Sequence, residues 1–153
     1  MERINSVTFA NYVLQQAKKN SILDMSATKL QKLIYAIDGC LLVDDINVID
    51  EQCRAWQYGP VYPKIFKKIS NSNIDNFAED ADISDIKNHE KFSVIQEVTT
   101  MILTTLGKHS AAQLSAWSHV KGSPWSQTKI HDPISKDLLK EYFSQFKKER
   151  NNE

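Results

Sequence analysis

The distribution of apolar residues predicts a mainly helical protein. Over residues 7–19 and again after Ser26, apolar side chains return every three or four positions, which is the spacing of one face of an α-helix. The stripe after Ser26 is the stronger and predicts a central helix that ends near Asp44. Four polar residues of this helix lie mostly off the apolar stripe: Lys29, Gln31, Lys32 and Asp38.

Two further helices are predicted in the second half of the chain. Residues 90–106 carry one apolar face, and Gly107 stands where a carboxy-terminal glycine cap belongs. Ser110 and Gln113 then have the spacing of a capping box, in which each side chain bonds the backbone of the other residue. The box predicts a helix that runs to about Val120.

A serine and an aspartate, each before a proline, mark the last two elements. Ser123-Pro124 has N-cap and first-turn chemistry for a brief turn that carries Trp125. Asp132-Pro133 repeats this pairing ahead of a terminal helix, whose apolar residues again recur at helical spacing. Residues 147–153 are charged, and we expect them to form a frayed tail.

Helical spacing is lost in the middle of the chain. Residues 46–49 and 53–58 form two short stretches that are compatible with β-structure and bounded by acids and glycine. They predict a small hairpin, or a pair of short strands, near residues 46–58.

A turn and a polar stretch follow. Gly59 can adopt backbone angles that are closed to other residues. Pro60 or Pro63 can occupy the first turn of a short helix that ends near Ile69, because a missing N–H costs nothing at that position. Residues 71–88 are rich in Asn, Asp and Ser and predict a long polar loop with room for one helical turn.

Length and composition place these elements in one domain. The chain has 153 residues, of which 41% are hydrophobic and 25% are charged, close to the averages for globular proteins. A chain of this length fits a single domain and can bury a sizeable core. We therefore predict a mainly α fold: one compact domain over residues 1–153, with about six helices and the small β-element near residues 46–58.

The charge balance bears on the class of partner. Lysine and arginine number 19, as do the acids, so the formal net charge is zero and broad attraction to nucleic acid is not expected. Lys64, Lys67 and Lys68 form a local basic stripe on the short helix. One interpretation of this stripe is a contact for nucleic acid or for an acidic protein. The favoured alternative is a face that is exposed to solvent.

The sequence also bears on the compartment. Its amino terminus lacks the apolar segment of a signal peptide, and no apolar run approaches the ~20 residues that span a bilayer. We therefore expect a cytoplasmic protein without a membrane partner. Cys40 and Cys53 are the two cysteines, and in this setting a buried reduced pair is favoured over a disulfide.

The sequence contains no complete set of catalytic residues. The four histidines have no metal-ligand spacing, no phosphate-binding loop is present, and neither a metal nor a cofactor is expected. Cys40 or Cys53 with a histidine is a possible nucleophile pair, but a small core residue is the favoured alternative. His119 is a possible general base, although a histidine bonded to a neighbouring backbone group is favoured. We predict that the chain is not an enzyme.

Aromatic residues concentrate around two breaks in the helical pattern. Trp56 and Trp125 are expected to pack in the core. Tyr58 and Tyr62 flank a turn that looks exposed, so interface and packing roles are left equally open for them.

Three segments carry recognisable marks. Lys29-Leu-Gln-Lys-Leu-Ile-Tyr35 lies on the central helix, Ala55-Trp-Gln-Tyr-Gly-Pro-Val-Tyr-Pro63 lies at the turn, and Ser123-Pro-Trp125 follows His119. In this order and separation they resemble the SocA-like antitoxins, or Panacea-domain proteins, a family that also includes phage-associated proteins. The resemblance runs from about Phe9 to Phe143. The matching positions are Leu30, Gln31, Lys32, Leu33 and Tyr35, then Trp56, Tyr58, Gly59, Pro60, Val61 and Pro63, and finally His119, Ser123, Pro124 and Trp125.

The resemblance implies an activity that composition and spacing do not reveal. It implies a bacterial, predominantly helical antitoxin that neutralises a cognate protein toxin by direct contact, while some of the matching residues maintain the fold. The surface expected to bind the toxin comprises Gln31, Lys32, Tyr35, Tyr58, Tyr62 and Lys64.

Two alternatives stand beside this hypothesis. One is an adaptor that delivers the toxin to a bacterial AAA+ protease, with the charged tail as a tether. The other, of a different class, is an enzyme that reverses a toxin's modification. The sequence names neither the toxin nor the oligomeric state.

Overall fold

The computed structural model describes residues 1–70, 74 and 81–151. This part of the chain is mainly helical, with seven helices and a two-stranded antiparallel sheet, which confirms the predicted fold class. The elements are α1 Ser6–Lys19, α2 Ala27–Val43, β1 Arg54–Trp56, β2 Gly59–Val61, α3 Pro63–Ser70, α4 Ser84–Lys87, α5 Phe92–Thr105, α6 Ala111–Ser118 and α7 Lys136–Asn151. Short 3-10 turns occupy residues 106–108 and 125–127.

Helix α2 is the central element, as predicted. Ser26 caps it by accepting a hydrogen bond from the Lys29 backbone N–H at 3.2 Å, and its sides are covered by α1, α3, α5, α6, α7 and β2. Every residue from Lys29 to Leu42 is buried. Because the helix is enclosed all round, even the polar residues that lie off its apolar stripe are inside the protein.

Helix α1 begins one residue before the predicted segment. Asn5 Oδ1 accepts hydrogen bonds from the backbone N–H groups of Val7 and Thr8, which fixes the amino-terminal turn. Just ahead of it, Ile4 pairs with Ile49 in an isolated parallel bridge. The Val48 carbonyl and the Asp50 N–H bond the backbone of Ile4, so this stretch pairs with the amino terminus. Residues 46–49 do not form a strand of the hairpin as the sequence suggested.

The hairpin lies later in the chain than predicted. Strand β1 pairs with β2 so that Arg54 faces Val61 and Trp56 faces Gly59, with Gln57 and Tyr58 at the turn. The β-pairing therefore includes residues 59–61, which the sequence suggested as a turn.

The residues before α7 extend this small sheet. The Ala55 N–H donates to the Asp132 carbonyl at 3.0 Å, and the Ile134 N–H donates to the Cys53 carbonyl at 2.8 Å. Asp132 therefore does not cap α7. That role falls to Ser135, whose Oγ accepts hydrogen bonds from the backbone N–H groups of Asp137 and Leu138.

The helices around the predicted loop agree in part with the sequence. Helix α3 begins at Pro63, one of the two predicted starts, whereas Pro60 lies in β2. Within the predicted loop 71–88, residues 84–87 form the single turn α4. Residues 71–73 and 75–80 of that loop lie outside the described part of the chain.

The carboxy-terminal half follows the predicted order with two corrections. The capping box of α6 is present, with Ser110 Oγ accepting from the Gln113 N–H at 3.1 Å and Gln113 Oε1 accepting from the Ser110 N–H at 2.8 Å. Gly107 is not a left-handed cap, because it lies in the 3-10 turn after α5.

The second correction concerns the carboxy-terminal tail. Helix α7 continues to Asn151, past the predicted start of the frayed tail at Lys147. Lys147 itself is tied to Asp44 by an ion pair of 2.9 Å, and Phe146 is buried next to Trp117. Residues 152–153 lie outside the described range.

Candidate contact surface at the hairpin

The hairpin is fixed to α2 by a side-chain amide. Gln31 Oε1 accepts a hydrogen bond from the Tyr62 N–H at 2.9 Å, and Gln31 Nε2 donates to the Tyr62 carbonyl at 3.2 Å. The Tyr62 N–H lies where β2 passes into α3, ahead of the hydrogen bonds of the helix, whereas the Tyr62 carbonyl also accepts from the Phe66 N–H at 3.0 Å. Gln31 therefore determines how the hairpin sits on the central helix.

Beneath this joint lies a buried carboxylate. Asp38 accepts a hydrogen bond of 2.7 Å from the Tyr62 hydroxyl. Burial raises the pKa of Asp38 to about 6, although the Tyr62 hydroxyl and the charges of Lys136 and Arg3 act in the opposite direction. The joint thus contains an ionisable group that titrates near neutral pH.

Gly59 lies directly over the end of the Lys32 side chain. Its φ is +120°, which favours glycine, and a Cβ at this position would lie 2.7 Å from Lys32 Cε. The same Cβ would lie 3.1 Å from both Lys32 Nζ and Ser118 Oγ. Any larger residue at 59 would therefore compete with Lys32 for space.

A row of aromatic rings crosses the hairpin and the turn after α6. Trp125 Nε1 donates to the Trp56 carbonyl at 2.7 Å, which locks the 3-10 turn onto β1. The His119 ring lies over the Trp125 ring with centroids 4.1 Å apart, and the Phe66 ring meets Trp56 edge-on at 5.1 Å. Trp56, Trp125 and His119 are half-buried, and Phe66 is 47% exposed. Trp125 packs against the hydrophobic core, as expected, whereas Trp56 is half-buried and contacts Phe66.

Of the six residues expected to bind the toxin, four are inside the protein. Gln31, Lys32, Tyr35 and Tyr62 are buried, so they cannot touch a partner while the described fold is intact, and their place in the expected surface needs correction. Tyr35 packs against the rings of Trp117 and Phe143. The positions are buried because α2 is enclosed on all sides and β2 covers the residues that the sequence placed at the surface.

The other two are on the outside. Tyr58 at the hairpin turn is 76% exposed. Lys64 lies at the start of α3, where its ammonium is 3.8 Å from Asp50 and its backbone N–H donates to Glu51 at 2.6 Å. We use "hairpin surface" for the exposed and half-buried side chains around this turn: Trp56, Tyr58, Lys64, Phe66, His119 and Trp125.

The remaining matching positions support this surface from below. Leu30 and Leu33 are core residues of α2, and Pro60 and Val61 are buried in β2, while Pro63 is half-buried at the start of α3. Ser123 and Pro124 are also buried, and Ser123 Oγ accepts from the Ser126 N–H at 3.2 Å, as the predicted turn requires.

Phe66 is the member of the hairpin surface that sequence reasoning missed. Its neighbours Ile65 and Ile69 form the buried stripe of α3, whereas Phe66 lies on the exposed side with Lys67. An aromatic residue off the apolar stripe of a short helix was the available signal.

Cys40, Cys53 and His119 were considered as catalytic groups, with core or backbone-bonded positions as the favoured alternatives. The structure places all three in the positions that these alternatives predicted. Cys40 and Cys53 are free and buried; burial raises the pKa of Cys40 to about 12 and that of Cys53 well above its ordinary value. The His119 ring bonds the Ser115 carbonyl through Nδ1. Over the described residues, His, Cys, Asp and Glu form no group that could hold a metal ion.

In the described part of the chain, no helix combines the length and the apolar character needed to span a membrane.

Comparison with known proteins identifies similar sequences. The model of the family described as "Antitoxin SocA-like, Panacea domain" matches residues 30–126. The chain is 33% identical over 132 residues to Antitoxin SocA of Caulobacter vibrioides (strain NA1000 / CB15N), and this alignment covers 81% of the chain and 70% of that protein. No solved structure matches the chain. The matched region contains α2 from Leu30 onward, the hairpin, and Trp125 in the turn after α6.

Proposed function

This chain belongs to the SocA-like antitoxin family with a Panacea domain, and we propose from that premise that it neutralises a cognate protein toxin by binding it directly through the hairpin surface. The observation that carries the proposal is the exposed aromatic area at the hairpin, where Tyr58 is 76% and Phe66 is 47% exposed. Tyrosine and tryptophan are enriched among the residues that dominate binding energies at protein interfaces.

The hairpin surface is held rigidly, which favours binding. The Gln31 amide fixes the β2–α3 joint, and the Trp125 indole fixes β1. A surface that is ordered before binding loses less conformational entropy when the complex forms. The buried matching residues thus have a function in the proposal: they hold the exposed ones in place.

The chemistry of the surface also favours a protein partner. On α3, the exposed Phe66 stands between the exposed Lys64 and Lys68 in sequence, a combination that suits a partner with apolar and acidic groups. The formal net charge of the whole chain is zero, which does not favour binding to nucleic acid. We expect the encounter with the toxin to occur in the cytoplasm.

The first experiment is co-expression of this chain with the product of its adjacent gene. We expect the chain to restore growth that the neighbour arrests, and the two proteins to co-purify at fixed stoichiometry. If neither rescue nor a complex is found with a toxic neighbour, the proposed function fails for that pair.

Two further measurements separate direct neutralisation from the alternatives. A protease adaptor would shorten the half-life of the toxin, whereas a binding antitoxin leaves it unchanged or longer. An enzyme that reverses a modification would rescue growth at far below one equivalent of antitoxin, whereas a binding antitoxin requires about one equivalent.

A further inference from the structure

Charge is distributed unevenly along the chain. Residues 52–74 and 98–131 contain seven lysines and arginines but no aspartate or glutamate. Because the formal net charge of the whole chain is zero, the remaining residues together carry a charge of −7. All six members of the hairpin surface belong to these two acid-free segments. The candidate contact surface therefore lies in the basic part of a chain that is neutral as a whole.

The fold brings the two acid-free segments together along β1. The His131 N–H donates to the Ala55 carbonyl at 2.6 Å, and Arg54 Nη1 donates to the His131 carbonyl at 3.1 Å. Trp125 Nε1 donates to the carbonyl of Trp56 on the same strand. Residues 119–131 therefore border the hairpin, and the basic residues of both segments contribute to the electrostatic potential there.

Three basic residues of this region have charges that are not neutralised. Arg54, Lys121 and Lys129 are exposed, and none of them forms an ion pair with the part of the chain that the structure describes. Lys64, by contrast, is engaged by an acid at the border of the region, and Asp132 is an exposed acid at its other border. The region thus keeps positive charge that can act on a partner.

The same region holds most of the exposed apolar side chains. Six large hydrophobic residues of the described chain are exposed, and four of them belong to the acid-free segments: Tyr58, Phe66, Val120 and Ile130. Val120 is 45% exposed and precedes Lys121, while Ile130 is 40% exposed and follows Lys129. Specific protein interfaces combine an apolar centre with a polar rim, and the rim residues here are basic.

We propose that the toxin presents an acidic face to this region, and that the contact extends from the hairpin surface onto residues 119–131. Val120 and Ile130 would pack against apolar groups of the toxin, while Arg54, Lys121 and Lys129 would face its carboxylates. The inference rests on the proposed function and adds the chemistry of the partner. The charges select the occupant, because basic residues without partners favour an acidic surface and repel a basic one.

The arrangement also predicts how the complex forms. Opposite charges on two surfaces attract the partners before they touch, which raises the association rate constant by up to about 10³-fold at low salt. Exposed charges at the rim of an interface act mainly on this rate, whereas most other interface contacts act mainly on dissociation. The lysines and the apolar residues of the region should therefore be separable by kinetics.

The first test reverses charge in the full-length chain and measures binding of the purified toxin from the co-expression experiment. Lys121→Glu/Lys129→Glu should lower the association rate constant by at least about tenfold at about 20 mM salt, but by less than about threefold at about 500 mM, where screening is strong. Lys121→Gln/Lys129→Gln should show a smaller loss, because the charge is removed and not reversed. Both lysines are exposed, so urea unfolding of the variants should match that of the wild type.

Lys18→Glu/Lys87→Glu is the matched control. It changes the net charge by the same amount, and both lysines are exposed on helices that pack against each other, α1 and α4. Neither lysine belongs to an acid-free segment. The association rate constant of this control should stay within about twofold of the wild-type value at both salt concentrations.

Two further variants test the contact itself. Ile130→Ala should raise the dissociation rate constant by about fivefold or more and leave the association rate constant unchanged. On the toxin, a change of one contacting Asp or Glu to Lys should slow association with the wild type and restore fast association with Lys121→Glu/Lys129→Glu.

A basic surface with aromatic residues could also serve nucleic acid, and a direct measurement decides between the two. A fluorescent single-stranded RNA of about 20 nucleotides is titrated with the wild type and with Lys121→Glu/Lys129→Glu at about 150 mM salt. We expect a Kd above about 10 μM for both. Tighter binding that is lost in the variant, with toxin association unchanged, would assign the surface to nucleic acid and overturn the inference.

The outcomes separate this inference from the proposed function. If the wild type binds the toxin, but association responds neither to salt nor to charge reversal at Lys121 and Lys129, the toxin face is not acidic and the proposed function stands. If the control slows association as much as the test variant, net charge and not this region is responsible, and the inference fails. If the wild type forms no complex, the proposed function and this inference fail together.

Discussion

Tyr62 donates a hydrogen bond of 2.7 Å to Asp38 in the interior between α2 and the hairpin. Asp38 is 5% exposed and Tyr62 is fully buried, so water does not replace either partner. The pair links the central helix to the residue that joins β2 and α3. Its ionisation therefore affects the element that carries the hairpin surface.

The first prediction concerns the dependence of stability on pH. Burial raises the pKa of Asp38 from 3.8 to about 6, so the native state binds this proton more tightly than the unfolded chain. The stabilisation is fully present below about pH 4 and is lost as the pH rises through about 6, by at most about 3 kcal/mol. Urea unfolding of the wild type and of Asp38→Asn between pH 4 and 7.5 measures it. If the variant keeps the wild-type slope over this range, another group is responsible.

The second prediction concerns the hydroxyl of Tyr62. Tyr62→Phe removes the hydrogen bond to Asp38 and should lower the free energy of unfolding by about 1–3 kcal/mol at pH 7.5, and by less below pH 5, where the carboxyl is neutral. Tyr35→Phe is the matched control, because the buried Tyr35 hydroxyl has no hydrogen-bond partner in the described structure. Removal of the Tyr35 hydroxyl should leave the free energy of unfolding unchanged or raise it. Equal losses in both variants would show that the Asp38 contact is not the cause.

The third prediction concerns Lys29, which connects two loops. Its ammonium joins Asp24, before α2, to the Gly107 carbonyl in the 3-10 turn after α5. Lys29→Met should lower the free energy of unfolding by about 2–4 kcal/mol, because the Gly107 carbonyl loses its charged donor. Lys108→Met, at the exposed neighbour of Gly107, should change it by less than about 0.5 kcal/mol. Denaturant unfolding of both variants tests this, and a loss for Lys29→Met no larger than that of the control would contradict it.

The helices could be predicted from the sequence because each has an apolar stripe or a cap of its own. The Ser110–Gln113 box before α6 acts within a single turn of helix and was found as predicted. The apolar stripe of α2 was predicted to follow Ser26, and Ser26 caps that helix. The hairpin could not be placed so well. Its strands have three residues each and are positioned by contacts with Gln31 and with the residues before α7, which are distant in sequence.

The expected toxin-binding residues show a second limit of sequence reasoning. A polar residue off an apolar stripe normally faces water. On α2 this inference fails for Gln31 and Lys32, because β2 and the end of α6 cover the side that the stripe leaves open. Tyr58 is exposed because it lies at the tip of the hairpin turn, and the sequence signal for that was the glycine that follows it.

The fourth prediction concerns Gly59. Gly59→Ala places a methyl group at φ +120° and 2.7 Å from Lys32 Cε, and the enclosed lysine has little room to move. The free energy of unfolding should fall by about 2–4 kcal/mol through strain and overpacking together. Gly122→Ala is the control, because φ is +89° there but no atom lies within 4 Å of the added carbon. Gly122→Ala should lower the free energy of unfolding by about 1–2 kcal/mol. If Gly59→Ala lowers it by no more than this, the contact with Lys32 does not contribute to the destabilisation.

The fifth prediction concerns the hairpin surface. Tyr58→Ala should change the free energy of unfolding by less than about 0.5 kcal/mol, because the side chain is 76% exposed. It should weaken toxin binding by about 2 kcal/mol or more if Tyr58 is an anchor residue. Phe66→Ala should weaken binding as well, with a small loss of stability from its contact with Trp56.

Leu23→Ala provides the matched control for that comparison. Leu23 is a large apolar residue that is 95% exposed, but it lies in the connection between α1 and α2, beside a cleft lined by Leu103 and Lys108. Its truncation should leave both stability and toxin affinity unchanged. Binding measured by calorimetry for the three variants decides the location: if Leu23→Ala weakens binding while Tyr58→Ala and Phe66→Ala do not, the toxin binds at the α1–α2 connection and the hairpin surface is the wrong one.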